Sequence, residues 1–402
     1  MRRQLLVAAL LVPAAAFGQA GFFSSAATAQ DMPATAARPC DTHCSAEWMD
    51  AHLRIDQLQL VGTAESYKQR PNSALMGLIR MGGKKDAEAL DYGQPALTTQ
   101  LDADVRSLSF DVAYDPRGGA YKNPAGASMA MDLLPGDYVA AMAKPGFKTV
   151  HVLDVDYQSS CLALSDCLKQ VSDWSRAHPR HLPIVITLHT NDIKTPMPGA
   201  TRPLLCDAAA MDALEAEVRT AFAPDQIITP DMVQGEHPSL RAAVLAHAWP
   251  RLGEARGKVI VVLDDSAQKV DAYRGTRRNL EGRAMFVATD EASPVAAFLS
   301  LPDPVADGSH IAAAVRSGFM VVTRADADTR EARAGNTARR DAAFRSGAQV
   351  IQTDFALPDP KIGAYRVSLA DNAGAMCGQG LAPERCVRFT DSSVAVRTAA
   401  AP

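Results

Sequence analysis

The sequence predicts an α/β fold of the TIM type, a (β/α)8 barrel formed by a single domain. Eight short apolar runs, rich in β-branched residues, alternate with stretches of helical amphipathic periodicity. Strands that alternate with helices favour parallel pairing, and a count of eight favours a closed barrel over an open sheet. No internal repeat or low-complexity linker divides the 402 residues, so one domain suffices.

Each apolar run predicts one strand. In chain order the predicted strands are Gln57–Gly62, Ser107–Val112, Thr149–Val155, Ile184–Leu188, Lys258–Asp264, Met285–Ala288, Phe319–Thr323 and Gln349–Thr353. The predicted helices include Ser165–Ala177, Ala208–Phe222, Ser293–Ser300 and Ala338–Ser346. The proline-rich stretch Thr195–Pro203 predicts a loop after the fourth strand.

The two ends of the chain have their own patterns. Arg2 and Arg3 precede an apolar run that ends at Phe17, and small residues follow up to Ala29, which predicts a cleaved signal peptide over residues 1–29. The barrel domain is then residues 30–402, in a secreted or periplasmic protein with at most peripheral membrane contact. Within it, Asp31–Ala51 is expected to be an ordered lead-in and Asp371–Pro402 a stapled tail.

The charge balance argues against a nucleic-acid partner. Removing residues 1–29 removes two arginines and no acids, so the formal charge moves from −4 to −6. Proteins that bind phosphate backbones cluster Lys and Arg instead. The sequence also has no glycine-rich phosphate loop, so no nucleotide cofactor is expected, and it has no nucleophile-elbow motif.

Seven cysteines fit an oxidising compartment. Close spacing suggests the pairs Cys40/Cys44, Cys161/Cys167 and Cys377/Cys386, which would leave Cys206 unpaired. Spacing alone does not fix connectivity, and reduced thiols are the alternative.

Function in such a barrel lies at the C-terminal ends of the strands. The polar residues at those ends are Glu65, Asp111, His151 with Asp154 and Asp156, His189 to Asp192, Asp264, Asp265, Arg324, Asp326 and Asp354.

The segment Gln57–Tyr67 (QLQLVGTAESY) resembles the first-strand motif of the secreted bacterial calcium-dependent phosphatidylinositol-specific phospholipases C. Collinear matches follow at Gln100–Asp111, Pro145–Cys161, Leu182–Asp192, Ile228–Asp264, Arg324–Thr329, Ala332–Arg340 and Ser346–Phe355. The resemblance implies a phospholipase-C-like phosphodiesterase barrel. It also implies that a substrate hydroxyl attacks the adjacent phosphodiester with the help of two histidines and a calcium ion. The implied substrate is an inositol phospholipid or another phosphodiester.

Several positions depart from that pattern. Ala64 stands where the family has its first catalytic histidine, and Glu65 stands where it has an asparagine ligand. Ser109 replaces a glutamate ligand and His189 replaces an acidic ligand, whereas Asp111 is retained. His151 matches the second catalytic histidine.

The chemistry of the four candidate ligands suggests a change of metal. Two carboxylates (Glu65, Asp111) with two imidazoles (His151, His189) suit Zn²⁺, Mn²⁺ or Fe²⁺ better than Ca²⁺. The alternative for Glu65 and His189 is drift in an inactive pocket. His151 is otherwise a satisfied core or rim histidine, and Asp111 is otherwise a turn cap.

Arg324 is a candidate contact for phosphate or a polyol, through its forked guanidinium. An internal ion pair with Asp326 or Asp328 is the alternative. Two functions stay open: a phosphoric diester hydrolase with altered metal or reduced activity, and an inactive phospholipase-C-like binding protein. Loss of one acid/base group typically costs ~10²–10⁴-fold in rate.

Overall fold

The computed structural model describes residues 46–369 and 375–377. Its strands are β1 (Leu58–Thr63), β2 (Ser107–Ala113), β3 (Lys148–Thr149), β4 (Ile184–Thr190), β5 (Val259–Leu263), β6 (Phe286–Val287), β7 (Phe298–Ser300), β8 (Met320–Arg324), β9 (Val350–Thr353) and β10 (Met376–Cys377).

The helices lie mainly between these strands. They are α1 (Ala46–His52), α2 (Ser73–Gly82), α3 (Lys84–Leu90), α4 (Leu97–Asp102), α5 (Ala125–Met129), α6 (Gly136–Met142), α7 (Leu164–Ala177), α8 (Ala208–Ala221), α9 (Pro230–Gln234), α10 (Leu240–Leu245), α11 (Leu252–Ala255), α12 (Ala267–Arg274), α13 (Gly308–Arg316), α14 (Arg330–Ala334) and α15 (Ala338–Ser346). The predicted helices at 165–177, 208–222 and 338–346 correspond to α7, α8 and α15.

Eight strands form a parallel barrel in chain order. The sheet runs β6-β5-β4-β2-β1-β9-β8-β7, and a parallel bridge between Ala288 and Phe298 joins its two edges. Short antiparallel strands β3 and β10 pair with β2 and β1 respectively. The predicted (β/α)8 barrel is therefore confirmed.

The predicted third strand, Thr149–Val155, is wrong. Only Lys148 and Thr149 are extended, and they pair antiparallel to the end of β2. The chain then turns, because Asp154 adopts a positive φ of 66° and its carboxylate accepts hydrogen bonds from the backbone N–H groups of Ala125 and Thr201. A local apolar pattern could not reveal these partners from distant loops.

The predicted helix Ser293–Ser300 is also wrong, because it contains the seventh barrel strand. Residues 295–299 are buried on every side, and Phe298–Ser300 pairs with β8. A continuous apolar run of this length fits a buried strand as well as a helix. The expected count of eight strands was therefore correct because two errors cancelled.

The barrel interior divides into an apolar floor and a polar mouth. Trp249, Phe286 and Phe298 pack with ring centroids 5.4–5.7 Å apart. On β2, by contrast, Ser109 and Asp111 alternate with the buried Leu108 and Phe110 and line a pocket. Polar side chains therefore collect towards the C-terminal end of β2, as the fold predicts.

The predicted disulfide Cys161–Cys167 is present, with the two Cα atoms 5.4 Å apart. Cys206 is a buried free cysteine. The predicted signal peptide (1–29), the pair Cys40/Cys44, Cys386 of the predicted third pair, and most of the lead-in and tail lie outside the described residues. Thr195–Pro203 is a loop, as predicted. Among the described residues, none of the helices combines the length and apolarity needed to cross a membrane.

Candidate active site

Four of the five predicted site residues line one pocket at the barrel mouth. Glu65, Asp111, His189 and Arg324 surround a cavity of about 320 Å³. The fifth, His151, lies beside it: one ligand-type atom from each of Glu65, Asp111 and His151 falls within 4.8 Å of the others. His189 is not part of that three-residue group.

Strand register accounts for the placement of Asp111 and His189. The two residues lie directly opposite each other on the neighbouring parallel strands β2 and β4. Residues in register on adjacent strands project to the same face of the sheet, so both side chains face the pocket. Asp111 is not a turn cap, because β2 continues to Ala113.

Glu65 lies in the loop after β1, in a backbone conformation that non-glycine residues seldom adopt. Its φ is 41°, and the following Ser66 N–H donates to the Ser109 carbonyl at 2.9 Å. Its carboxylate accepts a hydrogen bond from the Tyr92 hydroxyl and lies 3.7 Å from an Arg324 nitrogen. These contacts aim the Glu65 carboxylate at the mouth.

His151 reaches the mouth from the turn after β3 rather than from a barrel strand. The Val150 N–H donates to the Asp111 carbonyl, which places His151 beside Asp111. The Asp156 carboxylate lies 2.8 Å from Nδ1 of His151 and 3.2 Å from Nζ of Lys68. Nδ1 therefore donates to Asp156, and Nε2 is the nitrogen that remains for chemistry.

His189 is oriented by one hydrogen bond and Arg324 by two carboxylates. Nδ1 of His189 donates to the Asp264 carbonyl at 2.8 Å, because a carbonyl oxygen can only accept. Arg324 forms an ion pair with Asp354 at 2.5 Å in addition to its contact with Glu65. The predicted internal ion pair exists, but its acid is Asp354 rather than Asp326 or Asp328.

The charges of the site shift its protonation states. Burial raises the pKa of Glu65, but Arg324 and His151 outweigh burial and hold that pKa below its usual value. Burial raises the pKa of Asp111 in spite of His151 and His189. Burial lowers the pKa of His151, whereas its hydrogen bond to Asp156 and the charge of Glu65 raise it to about 9. At neutral pH His151 is therefore an imidazolium.

This shift predicts a pH-dependent stability. The pKa of His151 is higher in the folded protein than the ~6.5 of an unfolded chain, so the native state binds more protons between these values. The free energy of unfolding should therefore fall by on the order of 3 kcal/mol as pH rises from about 6.5 to 9. Urea titrations in EDTA would measure it.

The matched control is His151→Gln, which does not titrate. Asp354, whose pKa burial raises to about 8, adds a slope of the same sign in both proteins. The difference between the two profiles reports the titration of His151 together with its effect on Glu65 and Asp111, and identical profiles would contradict the assignment.

The Lys68–Asp156 pair predicts a second stability effect. Both side chains are fully buried, and Lys68 also donates to the carbonyls of Leu90 and Tyr92. Asp156→Asn leaves the lysine charge without its counter-charge, so the free energy of unfolding should fall by about 3–5 kcal/mol. Asp173→Asn, in an exposed pair with Lys169, should change it by less than ~1 kcal/mol. If Asp156→Asn lowered the free energy of unfolding as little as Asp173→Asn does, the buried ion pair would not be needed for stability.

The donor set of the mouth is mixed. Ca²⁺ takes about six to eight oxygen ligands, and the pocket lining includes the carboxylates of Glu65, Asp111 and Asp264 and the amide of Gln352. The Glu65 and Asp111 carboxylates each already accept a tyrosine hydroxyl, from Tyr92 and Tyr67 respectively. His151 and His189 add imidazole nitrogens, and mixed carboxylate and imidazole ligands are those of borderline transition ions.

Sequence reasoning did not recognise the supporting roles of four residues. Asp156 and Asp354 were noted only as polar residues at predicted strand ends, and Lys68 follows the first-strand motif without any signal of its own. Tyr92 lies between α3 and α4, where nothing in the sequence marks it. Its position becomes meaningful only because the loop folds back over Glu65.

Comparisons with known proteins agree with this architecture. A family model described as "Phosphoinositide phospholipase C, Ca2+-dependent" matches residues 53–378. Among curated proteins, no match was found.

Solved structures of calcium-dependent phospholipases C are similar to the chain. A phosphoinositol-specific enzyme from Pseudomonas sp., described as "apo form, myoinositol complex", has 17% identity and a TM-score of 0.49, covering 78% of this chain and 94% of its own. Crystal form 2 of the apo form of that enzyme has 16% identity and a TM-score of 0.49, covering 79% of this chain and 96% of its own. A phosphatidylinositol-specific enzyme from Streptomyces antibioticus has 14% identity and a TM-score of 0.46, covering 75% of this chain and 94% of its own.

Proposed function

Because this chain belongs to the calcium-dependent phosphoinositide phospholipase C family, we propose that it is a phosphodiesterase of the phospholipase C class with an altered metal requirement and reduced activity. The observation that carries the proposal is the convergence of Glu65, Asp111 and His151 within 4.8 Å at the pocket mouth. Two carboxylates and an imidazolium in one place can hold a cation and transfer a proton beside a bound phosphodiester.

His151 is the acid/base residue of the proposal. Its Nδ1 is held by Asp156, and its pKa of about 9 keeps a proton on the ring at neutral pH. Nε2–H can therefore donate to the oxygen that leaves phosphorus. Since Ala64 stands where the family has its first catalytic histidine, the proton of the attacking hydroxyl has no imidazole acceptor at that position, which is the reason for reduced activity.

Arg324 is the proposed contact for the phosphate. Its guanidinium borders the pocket with a side chain that is 26% exposed, and Asp354 and Glu65 fix its position. A forked, permanently charged group suits a phosphodiester oxygen. Together with the imidazolium of His151, it gives the pocket two cations that attract an anionic headgroup.

Glu65, Asp111 and His189 are the proposed metal ligands. Nε2 of His189 is the nitrogen available, because Nδ1 is bonded to the Asp264 carbonyl. A bound Zn²⁺, Mn²⁺ or Fe²⁺ would supply Lewis acidity towards a phosphoryl oxygen.

The second candidate is a binding protein without turnover. The specific observation in its favour is that both carboxylates are already hydrogen-bonded to tyrosines and that Glu65 also faces Arg324. Such a pocket is electrostatically balanced without a metal ion. It could still hold an inositol phosphate through Arg324 and His151.

One experiment separates the candidates. Metal analysis of the purified mature protein would be combined with a phosphodiesterase screen over several divalent ions and phosphatidylinositol. Saturable turnover that requires a transition ion supports the enzyme. Absence of detectable turnover with every ion and substrate, together with measurable binding of inositol phosphate, supports the binding protein and refutes the enzyme.

We also propose that the protein acts outside the cytoplasm, as a single barrel domain over residues 30–402 after removal of residues 1–29. The charged start and apolar run of the sequence support this, as does the Cys161–Cys167 disulfide. Mass measurement of the exported protein tests it: a mature start at Gln30 is expected, and a full-length product would refute it.

A further inference from the structure

A second, apolar cavity lies beside the catalytic pocket. It encloses about 690 Å³, against about 320 Å³ for the pocket, and we call it the α2 groove. Its walls come from α2, the end of α3, Met129, the turn after His151 and the loop at Thr195–Met197. Asp86 is the one charged side chain among its lining residues.

The floor of the α2 groove is packed. Leu75 and Ile79 belong to a buried apolar cluster that also contains Val150 and Leu153 on either side of His151. Satellite clusters of this kind form under long loops and hold them in place. The α2 groove is therefore a built feature of the fold.

One turn joins the two cavities. His151 presents its imidazole to Glu65 and Asp111, whereas the next residue, Val152, and Val155 line the α2 groove. The backbone bridge between Val152 and Asp156 closes this turn, and Asp156 holds His151. A ligand with its phosphate at His151 would thus lie next to the apolar wall of the α2 groove, because that wall begins at the following residue, Val152.

Exposed apolar side chains occur on the segments that follow the strands of the site. Large exposed apolar side chains lie on the loops and helices that follow β1, β2 and β4, the strands that carry the site: Met81, Met129, Met131, Leu133, Ile193, Leu204 and Leu205. Arg80, Lys84 and Lys85 are exposed near Met81 in the chain, Lys84 forms an ion pair with Glu88 at 3.6 Å, and Asp86 lines the α2 groove. Of the apolar side chains, Met81 and Met129 line the α2 groove itself, so its apolar lining continues to the exposed surface. An exposed apolar lining marks a ligand site, and the basic side chains next to Met81 can attract an anionic lipid.

From these observations, we propose that the α2 groove binds a hydrocarbon chain of the anionic phospholipid whose phosphodiester occupies the catalytic pocket. This proposal rests on the proposed function, because it places the headgroup at His151 and Arg324. The hydrocarbon chain of one bound lipid molecule then contacts Leu78, Val152 and Met197.

The test is calorimetric binding of lysophosphatidylinositol to the full mature protein in EDTA, below the micelle concentration, with acyl chains of about eight, ten and twelve carbons. Each two-carbon extension should tighten binding by about tenfold until the α2 groove is filled. Inositol phosphate without a chain serves as the headgroup probe.

Two variants locate the effect. Met197→Glu and Leu78→Glu put a charge into the α2 groove and should abolish the chain-length dependence while leaving inositol phosphate affinity unchanged. Both side chains are half-buried, and unchanged thermal unfolding would show that the fold is intact. Met232→Glu, on α9 and 56% exposed, is the matched control and should retain the dependence.

Affinity that is independent of chain length would overturn the proposal, as would a dependence that survives both α2-groove variants. Binding to vesicles of phosphatidylcholine with phosphatidylinositol, but not to monomers, would overturn it in favour of docking on a lipid surface. Headgroup binding without chain dependence refutes the α2 groove and leaves the proposed function intact. Chain dependence that both variants abolish, without binding of inositol phosphate either in EDTA or with added Zn²⁺, Mn²⁺ or Fe²⁺, supports the α2 groove and refutes the proposed function.

Discussion

Replacing His151 with alanine is expected to lower kcat/KM for phosphodiester cleavage by about 10²–10⁴-fold. The imidazole carries the proton that the leaving oxygen needs, and in the described part of the site no other group combines its position with a pKa of about 9. The measurement is cleavage of phosphatidylinositol with the most effective divalent ion, at several pH values.

The fold should survive this change. The His151 side chain is 24% exposed, and Asp156 keeps its partner Lys68. His310→Ala removes an exposed histidine paired with Glu291 and should leave kcat/KM within about twofold. Undiminished, saturable turnover in His151→Ala would place the chemistry elsewhere.

Restoring the family pattern is expected to create calcium-dependent cleavage of phosphatidylinositol. The quadruple variant carries Ala64→His, Glu65→Asn, Ser109→Glu and His189→Glu. Because all four positions line the same pocket, the new side chains enter the mouth rather than the core. The rate should rise by about 10²-fold or more over the parent in calcium, since both the ligands and the missing imidazole return.

The backbone favours one of these changes in particular. Position 65 has a φ of 41°, a conformation that asparagine adopts more readily than glutamate. Arg324 would lose its contact with Glu65 but keep Asp354.

The matched control retains Ala64 and carries the other three changes. It should bind calcium but cleave about 10²–10⁴-fold more slowly than the quadruple variant. A well-folded quadruple variant that binds calcium without activity would mean that the substrate pocket has diverged as well. The assignment to inositol lipids would then lose its support.

Most barrel strands were predictable because their signal is local. Buried parallel strands are continuous apolar runs, and β1, β2, β4, β5, β6, β8 and β9 were located within one or two residues of their observed bounds. The short strand β7 was not, because the apolar run around Phe298 fits a helix as well as a strand. Pairing with β8 decides between them, and pairing is a long-range property.

The candidate site shows the same division. Asp111 and His189 were placed correctly at strand ends, because a parallel barrel brings those ends together. His151 was expected on a third barrel strand but arrives from a turn. Asp154 bends that turn through hydrogen bonds to Ala125 and Thr201, residues far away in the chain.

The sequence by itself determined the barrel class and the family pattern with its departures at Ala64, Glu65, Ser109 and His189, and it suggested the Cys161–Cys167 disulfide. These depend on residue type, apolar periodicity and short spacing, which act along the chain. Only the tertiary structure decided which residues hold the site in place. Lys68 supports Asp156 and thereby His151, Tyr92 and Arg324 converge on Glu65, and Asp354 pairs with Arg324. Hydrogen bonds and ion pairs of this kind depend on distances between segments that are remote in sequence, and local pattern carries no information about those distances.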